Sequence, residues 1–272
     1  MTNPIGVFDS GYGGLTVLEE LQKNLPEYDY LYLGDNARAP YGTRSFDVVY
    51  EYTWECVQEL FKRGCDLVVL ACNTASAKAL RSIQQEKLID FPKKRVLGVI
   101  RPSAEVIGNY SNTKEIGVFA TEGTVSSDSY PLEIKRFFPD IRVHQKACPL
   151  WVPLVENNEY QTEEGTNFIR KDVDAFFDVH PKVDVLMLGC THYPILLPIL
   201  KGIIPDYIRI ISQGEIVAAS LKSYLERHKW LVKKLSTKQT VTYLTTESNE
   251  VFDNSVLQIL NKTVRSKHIT IK

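Results

Sequence analysis

The strongest constraint on how this chain can fold is that it repeats itself. Asp66-Leu-Val-Val-Leu-Ala-Cys72-Asn-Thr74 is answered later by Asp184-Val-Leu-Met-Leu-Gly-Cys190-Thr-His192, each an acid, four apolar residues, a small residue and a cysteine. A short apolar run closed by small and polar residues reads as a strand buried on both faces, the habit of parallel sheets. A second echo precedes each of these, because Ile5-Gly-Val-Phe8 followed by Asp9-Ser10-Gly11 is matched by Ile116-Gly-Val-Phe119 followed by Ala120-Thr121-Glu122-Gly123. Either echo alone is commonplace in α/β chains. Two in the same order point to a duplicated βα unit.

The stretches between the echoes fit that reading. Leu15, Leu18, Leu21 and Leu25 recur at helical spacing, Tyr30 to Leu33 is a compact strand, and a helix is expected from Ser45 to about Phe61. Further strands are expected at Leu67 to Leu70, Val96 to Val99, Ile116 to Phe119, Ile141 to His144, Val183 to Leu188 and Ile208 to Ile211. Alternation of this kind gives an α/β fold with mostly parallel sheets covered by helices. A length of 272 residues accommodates two lobes. Residues 98–208 are expected to form the second, and residues 1–97 with 209–272 the first. The run after Pro205 is assigned there because its strand-helix-strand pattern has no partner half.

Composition removes several classes of function. With 44% hydrophobic and 24% charged residues the chain can bury a sizeable core. The 32 basic and 33 acidic residues leave a net charge of -1, so there is no general positive field for a nucleic-acid backbone. The basic stretch through Lys262, Arg265, Lys267 and Lys272 is interleaved with Thr, Val and Ile and reads as a polar-faced strand or tail. No uncharged apolar run approaches the roughly 18 to 20 residues that span a bilayer, and Met1 to Ser10 shows no secretory pattern. A cytoplasmic protein with no membrane partner is expected. Its five cysteines lack zinc-site spacing and should be reduced thiols.

In parallel sheets ligands bind beyond the carboxyl ends of the strands. One half offers Asp9-Ser10-Gly11, the loop Asp35 to Gly42 and Cys72-Asn73-Thr74; the other offers Thr121 to Thr124, Cys148 to Glu156 and Cys190-Thr191-His192. Two such half-sites facing each other would enclose a small polar ligand. Gly11-Tyr-Gly-Gly14 follows a strand and opens a helix, but its spacing is neither a dinucleotide fingerprint nor a P-loop, and it suits a substrate carboxylate equally well. Cys72 and Cys190 sit at matching strand-to-helix junctions, where helix N-terminal N–H groups should favour the thiolate over the free pKa of about 8.5. Cys56 and Cys65 read as packing residues, and Cys148 as part of a packed loop.

Several motifs together resemble the glutamate racemases of the cofactor-independent aspartate/glutamate racemase superfamily. They are Phe8-Asp-Ser-Gly11 with Gly13 to Leu18, Gly34 to Gly42, Ala71-Cys-Asn-Thr-Ala-Ser76, Gly123-Thr124 with Ser127 and Tyr130, Ala147-Cys-Pro-Leu150 to Glu156, and Leu188-Gly-Cys-Thr-His-Tyr-Pro194. The resemblance implies two pseudo-symmetric Rossmann-like lobes with the active site in the cleft between them and neither cofactor nor metal. Cys72 and Cys190 would be the two acid/base thiols, assisted by Asp9, Glu156 and His192. Substrate contacts would come from Asp9, Ser10, Tyr41, Gly42, Asn73, Thr74, Thr121, Thr124, Thr191 and His192. The implied activity supplies D-glutamate for peptidoglycan, and the expected assembly is a homodimer. Two places depart from the pattern. Ser103 of Arg101-Pro-Ser103 stands where Gly is more usual, and Ser212-Gln213-Gly214 stands where an acidic residue generally follows the strand. Both are expected to touch lobe packing or dimer detail more than chemistry.

Three rivals remain open from the residues themselves. A Cys–His hydrolase would use Cys190 and His192 and not need Cys72. A two-lobed binding protein would hold an amino acid without exchanging its α-proton. A racemase for another amino acid would differ only in specificity.

Overall fold

The computed structural model describes residues 3–271. Met1 and Thr2 of the N-terminal stretch, and Lys272 of the basic tail, lie outside the described residues. The strands are β1 (Ile5–Asp9), β2 (Tyr30–Gly34), β3 (Leu67–Leu70), β4 (Arg95–Gly98), β5 (Glu115–Ala120), β6 (Arg142–Ala147), β7 (Val185–Gly189), β8 (Arg209–Ile211), β9 (Val241–Thr245) and β10 (Ser266–His268). They form two sheets, a six-stranded one in the order β10-β9-β2-β1-β3-β4 and a four-stranded one in the order β6-β5-β7-β8. Every pairing in both is parallel.

The duplication is visible in those orders. β2-β1-β3-β4 of the first sheet has the same arrangement as β6-β5-β7-β8 of the second, so the echoed segments, β1 with β5 and β3 with β7, occupy equivalent places. In each sheet the chain leaves the first of these strands to one side and returns on the other. The crevice between β1 and β3, and that between β5 and β7, are therefore the switch points at which parallel sheets bind ligands. β1, β3 and β7 are buried along their whole length, which is why they read as unbroken apolar runs.

One expected boundary is corrected. The strand at Arg209–Ile211 was assigned to the first lobe, but it pairs with β7 through Val185↔Arg209, Leu186↔Ile210 and Met187↔Ile211. Its backbone groups find their partners in the second sheet because β8 is the counterpart of β4, joined to β7 by a short crossover through helix Leu197–Ile203. Only after Ile211 does the chain return to the first sheet. Helix Gly214–Arg227 lies against helix Gly14–Asn24 on the way back, burying Val217, Ala218, Leu221 and Leu225 against Leu15, Leu18 and Leu21. Each of these Val and Leu side chains contributes roughly 1.5–3 kcal/mol of transfer free energy. β9 then pairs with β2, and β10 extends the edge with its basic, exposed Lys267 and His268.

The remaining expected strands and the helix at Phe46–Lys62 form within a few residues of their predicted limits. That helix starts where Ser45 accepts the backbone N–H of Val48 through its hydroxyl, a standard N-cap.

Candidate active site

The first half of the site stands at the ends of β1 and β3. Cys72 ends the apolar run of β3 and caps helix Asn73–Lys78, its Sγ accepting from the Ala75 N–H at 3.4 Å. Ser10 Oγ lies 3.5 Å from the same sulfur. Asp9, at the end of β1, is fully buried and accepts from the Gly11 N–H at 2.9 Å and from Thr191 Oγ1 at 3.3 Å. Burial holds its carboxyl above the usual carboxylate range. Burial likewise pushes the Cys72 thiol up to about 12, with the nearby Asp9 carboxylate adding to the shift and Ser10 and the Ala75 N–H opposing it. The expectation that a helix terminus lowers this thiol is thus overturned, because one long N–H contact on a six-residue helix does not offset complete burial.

The second half is built differently. Cys190 follows β7, but what comes next is Thr191, His192 and a 3₁₀ turn at Tyr193–Leu196, so no α-helix begins at this cysteine. Its electrostatic neighbour is a side chain instead. His192 Nδ1 lies 3.9 Å from Cys190 Sγ, and Nε2 lies 2.9 Å from Glu156 Oε1 at the end of helix Trp151–Glu156. Burial works against a charged imidazole, yet the hydrogen bonds to Cys190 and Glu156 outweigh it and raise His192 to about 10. An imidazolium held between a carboxylate and a sulfur is the result. Gly13, opening helix Gly14–Asn24, permits this approach of the two halves: a Cβ there would stand 2.4 Å from Thr191 Oγ1 and 2.6 Å from His192 Nδ1.

Both thiols face one cavity of about 270 Å³. That is below the roughly 300–1,000 Å³ of sites for drug-sized ligands and suits a small molecule. All five cysteines are free. Ser10, Tyr41, Gly42, Asn73, Thr74, Thr121, Glu156, Thr191 and His192 also form the wall, whereas Asp9 and Thr124 stand behind it. Thr74 Oγ1 and Thr121 Oγ1 meet at 2.9 Å and tie the two halves across the cavity floor, with Thr124 Oγ1 accepting from Thr121 at 3.1 Å. Among the described residues no lysine or arginine lines the cavity, so an anionic ligand would be held by hydroxyl, amide and backbone donors with the His192 cation beside them.

The chain matches the Asp/Glu/Hydantoin racemase family over residues 6–221. It belongs to that family. A glutamate racemase of Ruegeria pomeroyi is 40% identical, the match covering 96% of this chain and 97% of that relative. Among solved structures, a glutamate racemase isoform from Bacillus anthracis superposes with a TM-score of 0.88 at 32% identity, covering 99% of this chain and 98% of that one. A glutamate racemase from Francisella tularensis, solved in complex with D-glutamate, does so at 0.83 and 28%, covering 100% and 98%.

Within the loops that the sequence already offered to the site of this racemase, several residues had been given no individual role. Ala39, Pro40, Pro149, Leu150, Val152 and Pro153 give the cavity its apolar walls. Asp35 is fully buried and accepts from Tyr41 Oη, from Arg38 Nε at 2.7 Å and from Thr246 Oγ1 at 2.9 Å, which fixes the loop carrying Tyr41 and Gly42. The one available signal was in the departures from the racemase pattern. Ser103 and Gln213 touch each other, Gln213 Nε2 donating to Ser103 Oγ at 2.9 Å, and Gln213 Oε1 accepts from Asn73 Nδ2 at 2.6 Å. The departures therefore reach the cavity wall and are not confined to lobe packing.

Cys56, Cys65 and Cys148 do not line the cavity, and all are buried. A larger hollow of about 630 Å³ opens between helices Ile100–Ile107 and Gly214–Arg227 and contains no thiol. Among the described residues no cluster of three His, Cys, Asp or Glu side chains is set to hold a metal, and no helix is long and apolar enough to cross a membrane.

Proposed function

We propose that this racemase interconverts L- and D-glutamate in the cytoplasm by two-thiol acid/base chemistry, supplying the D-isomer for peptidoglycan synthesis, and that it works as a homodimer. The observation that carries the reading is the pair of free thiols, one from each sheet, on the walls of one small cavity. The reaction needs one group to remove the α-proton from one face and a second to return a proton to the other, and two monoprotic groups on opposite walls meet that need. In the resting protein, burial keeps Cys72 protonated while Cys190 faces the His192 cation. Cys190 then takes the α-proton of one enantiomer as Cys72 delivers its own to the opposite face, and the roles exchange for the other enantiomer. Charge that develops on the α-carboxylate is met by donors already in place: Ser10, Asn73, Thr74 and nearby backbone N–H groups.

Glutamate is favoured as substrate by the relatives, among them the Francisella enzyme solved with D-glutamate. Incubating each enantiomer in D2O and following circular dichroism and α-deuteration tests the reading. Racemisation with deuterium incorporation is expected for glutamate. Cys72→Ser and Cys190→Ser should each lower kcat by about 10³-fold, within the range for loss of a positioned acid or base. Full activity in Cys72→Ser, with a trappable acyl-enzyme on Cys190, would establish the hydrolase instead. Sedimentation of the pure protein tests the dimer.

A further inference from the structure

We infer that Gln213 is a positioning residue for this reaction: it sets the orientation of the Asn73 carboxamide on the cavity wall, through a closed hydrogen-bond ring that joins the two halves of the duplicated fold. The inference rests on the racemase reading of the cavity and adds to it a residue that never touches substrate. Gln213 follows β8, the strand displaced from its expected lobe, and its side chain is almost entirely buried.

The ring has one consistent set of donors. Asn73 Nδ2 donates to Gln213 Oε1 at 2.6 Å. Gln213 Nε2 donates to Tyr130 Oη at 2.7 Å, and Tyr130 Oη donates to Asn73 Oδ1 at 2.7 Å. The second Nε2 hydrogen is directed at Ser103 Oγ, 2.9 Å away, and the Val99 carbonyl, 3.2 Å away, while Ser103 Oγ donates to that same carbonyl at 2.9 Å. A carbonyl can only accept, so Val99 requires the amide nitrogen of Gln213 on its side and the amide oxygen on the side of Asn73. With Gln213 so oriented, Asn73 must present its nitrogen to Gln213 and its oxygen to Tyr130. One Asn73 Nδ2 hydrogen is then used in the ring, and the other remains for a ligand beside Cys72. Asn73 and its helix belong to the first half, whereas Tyr130 and Gln213 come from the second, so the same ring also holds the halves in register.

Substitution breaks the ring in a definable way. In Gln213→Leu the side-chain volume is kept, but Asn73 loses its acceptor and Tyr130 a donor, and the carboxamide can turn over. In Gln213→Glu the shape is kept, but the carboxylate draws the Tyr130 hydroxyl proton away from Asn73 and meets the Val99 carbonyl with like charge. A hydrogen bond from a positioned amide to a charged group is worth enough that its loss lowers kcat/KM by roughly 10- to 100-fold.

The test is a double-mutant cycle with Asn73→Ala, reading kcat, KM and Tm for wild type, Gln213→Leu, Gln213→Glu, Asn73→Ala and the two doubles. Wild-type activity on glutamate establishes the reading of the site, and its absence would refute that reading separately. Both single Gln213 variants are expected to lose roughly 10- to 100-fold in kcat/KM, mostly through KM, and to cause no further loss once Asn73 is alanine. Ser103→Ala, which removes one acceptor of Gln213 and leaves the ring closed, should lose less than threefold. Unchanged kcat/KM in Gln213→Leu and Gln213→Glu at temperatures where they stay folded, or losses that multiply fully with that of Asn73→Ala, would overturn the inference.

Discussion

The two halves of this racemase share a strand order and a cysteine at the same strand end, yet the surroundings of the two thiols are opposite in character. Around Cys72 there are a hydroxyl, one backbone N–H and, behind them, the Asp9 carboxyl. Around Cys190 there is an imidazole whose far nitrogen is held by Glu156. Duplication supplied two equivalent positions, and the residues following the strands made them unequal: Asn73-Thr74 opens a helix, whereas Thr191-His192 opens a 3₁₀ turn and brings a titratable ring to the sulfur. A reaction that must run in both directions is thus served by a pair that is symmetric in placement and asymmetric at rest.

The sharpest way to break that comparison is His192→Asn. With the cation beside Cys190 Sγ gone, a loss of about 10²- to 10³-fold in kcat/KM is expected. Because the two enantiomers have equal free energy in water, kcat/KM must fall equally in both directions. The asymmetry should appear instead in kcat, which falls more in the direction where Cys190 is the base, with KM following it. Equal changes of kcat in both directions would show that the halves are not functionally distinct.

Alkylation reads the same difference without substrate. The thiolate is the reactive species, and burial holds Cys72 near 12. At pH 8 iodoacetamide should therefore modify Cys72 on the order of 10³-fold more slowly than a free thiol of pKa about 8.5, as followed by peptide mass spectrometry. In Cys190→Ser, labelling of Cys72 should climb about tenfold per pH unit from 7 to 10 without a plateau, since the whole interval lies below its pKa. A plateau near pH 8 or 9 would place Cys72 at an ordinary thiol value and erase the contrast.

Much of the shared scaffold was legible before the structure, and most of the asymmetry was not. The four-residue apolar runs before Cys72 and Cys190 announce buried parallel strands, because a strand covered on both faces has no use for alternation. The polar residues after them mark the cavity for a topological reason. The thiol environments depend instead on distances between segments far apart in the chain. Nothing in Ala71-Cys72-Asn73 reveals that burial defeats its helix terminus, and nothing near Glu156 reveals that it reaches His192. β8 was misplaced for a related reason: Ile208 to Ile211 reads as a strand, but which sheet edge it joins is set by β7, not by its own residues. Gln213 stood out only as a departure, and its partners Asn73, Ser103 and Tyr130 are brought to it by the fold.

A smaller effect isolates the outer member of the Cys190 side. Glu156→Gln keeps a hydrogen-bond acceptor for His192 Nε2 but removes the charge that helps hold its proton. About a tenfold loss in kcat/KM is expected. The sign of the pH effect follows from His192 being raised to about 10 by Cys190 and Glu156 against burial: removing one of those partners lets the imidazolium lose its proton at lower pH, so the alkaline limb of activity moves toward neutrality. An unmoved limb would mean that Cys190 alone sustains the charge.

The mildest test falls on the other side. Among the described residues Ser10 is the only side chain hydrogen-bonded to the Cys72 sulfur, at a long 3.5 Å, and it sits on the cavity wall where a substrate carboxylate would also compete for its hydroxyl. Ser10→Ala removes a neutral hydrogen bond, and such bonds are worth about 1 kcal/mol, or roughly fivefold. If the hydroxyl serves Cys72, the loss appears in kcat in the direction where Cys72 is the base, and the alkylation rate of Cys72 falls with it. If it serves the substrate, KM rises in both directions while alkylation is untouched. The first outcome makes Ser10 a weak, neutral counterpart of His192; the second leaves one backbone N–H as the donor to Cys72 Sγ, with burial and the Asp9 carboxyl opposing it, and makes the contrast between the halves steeper still.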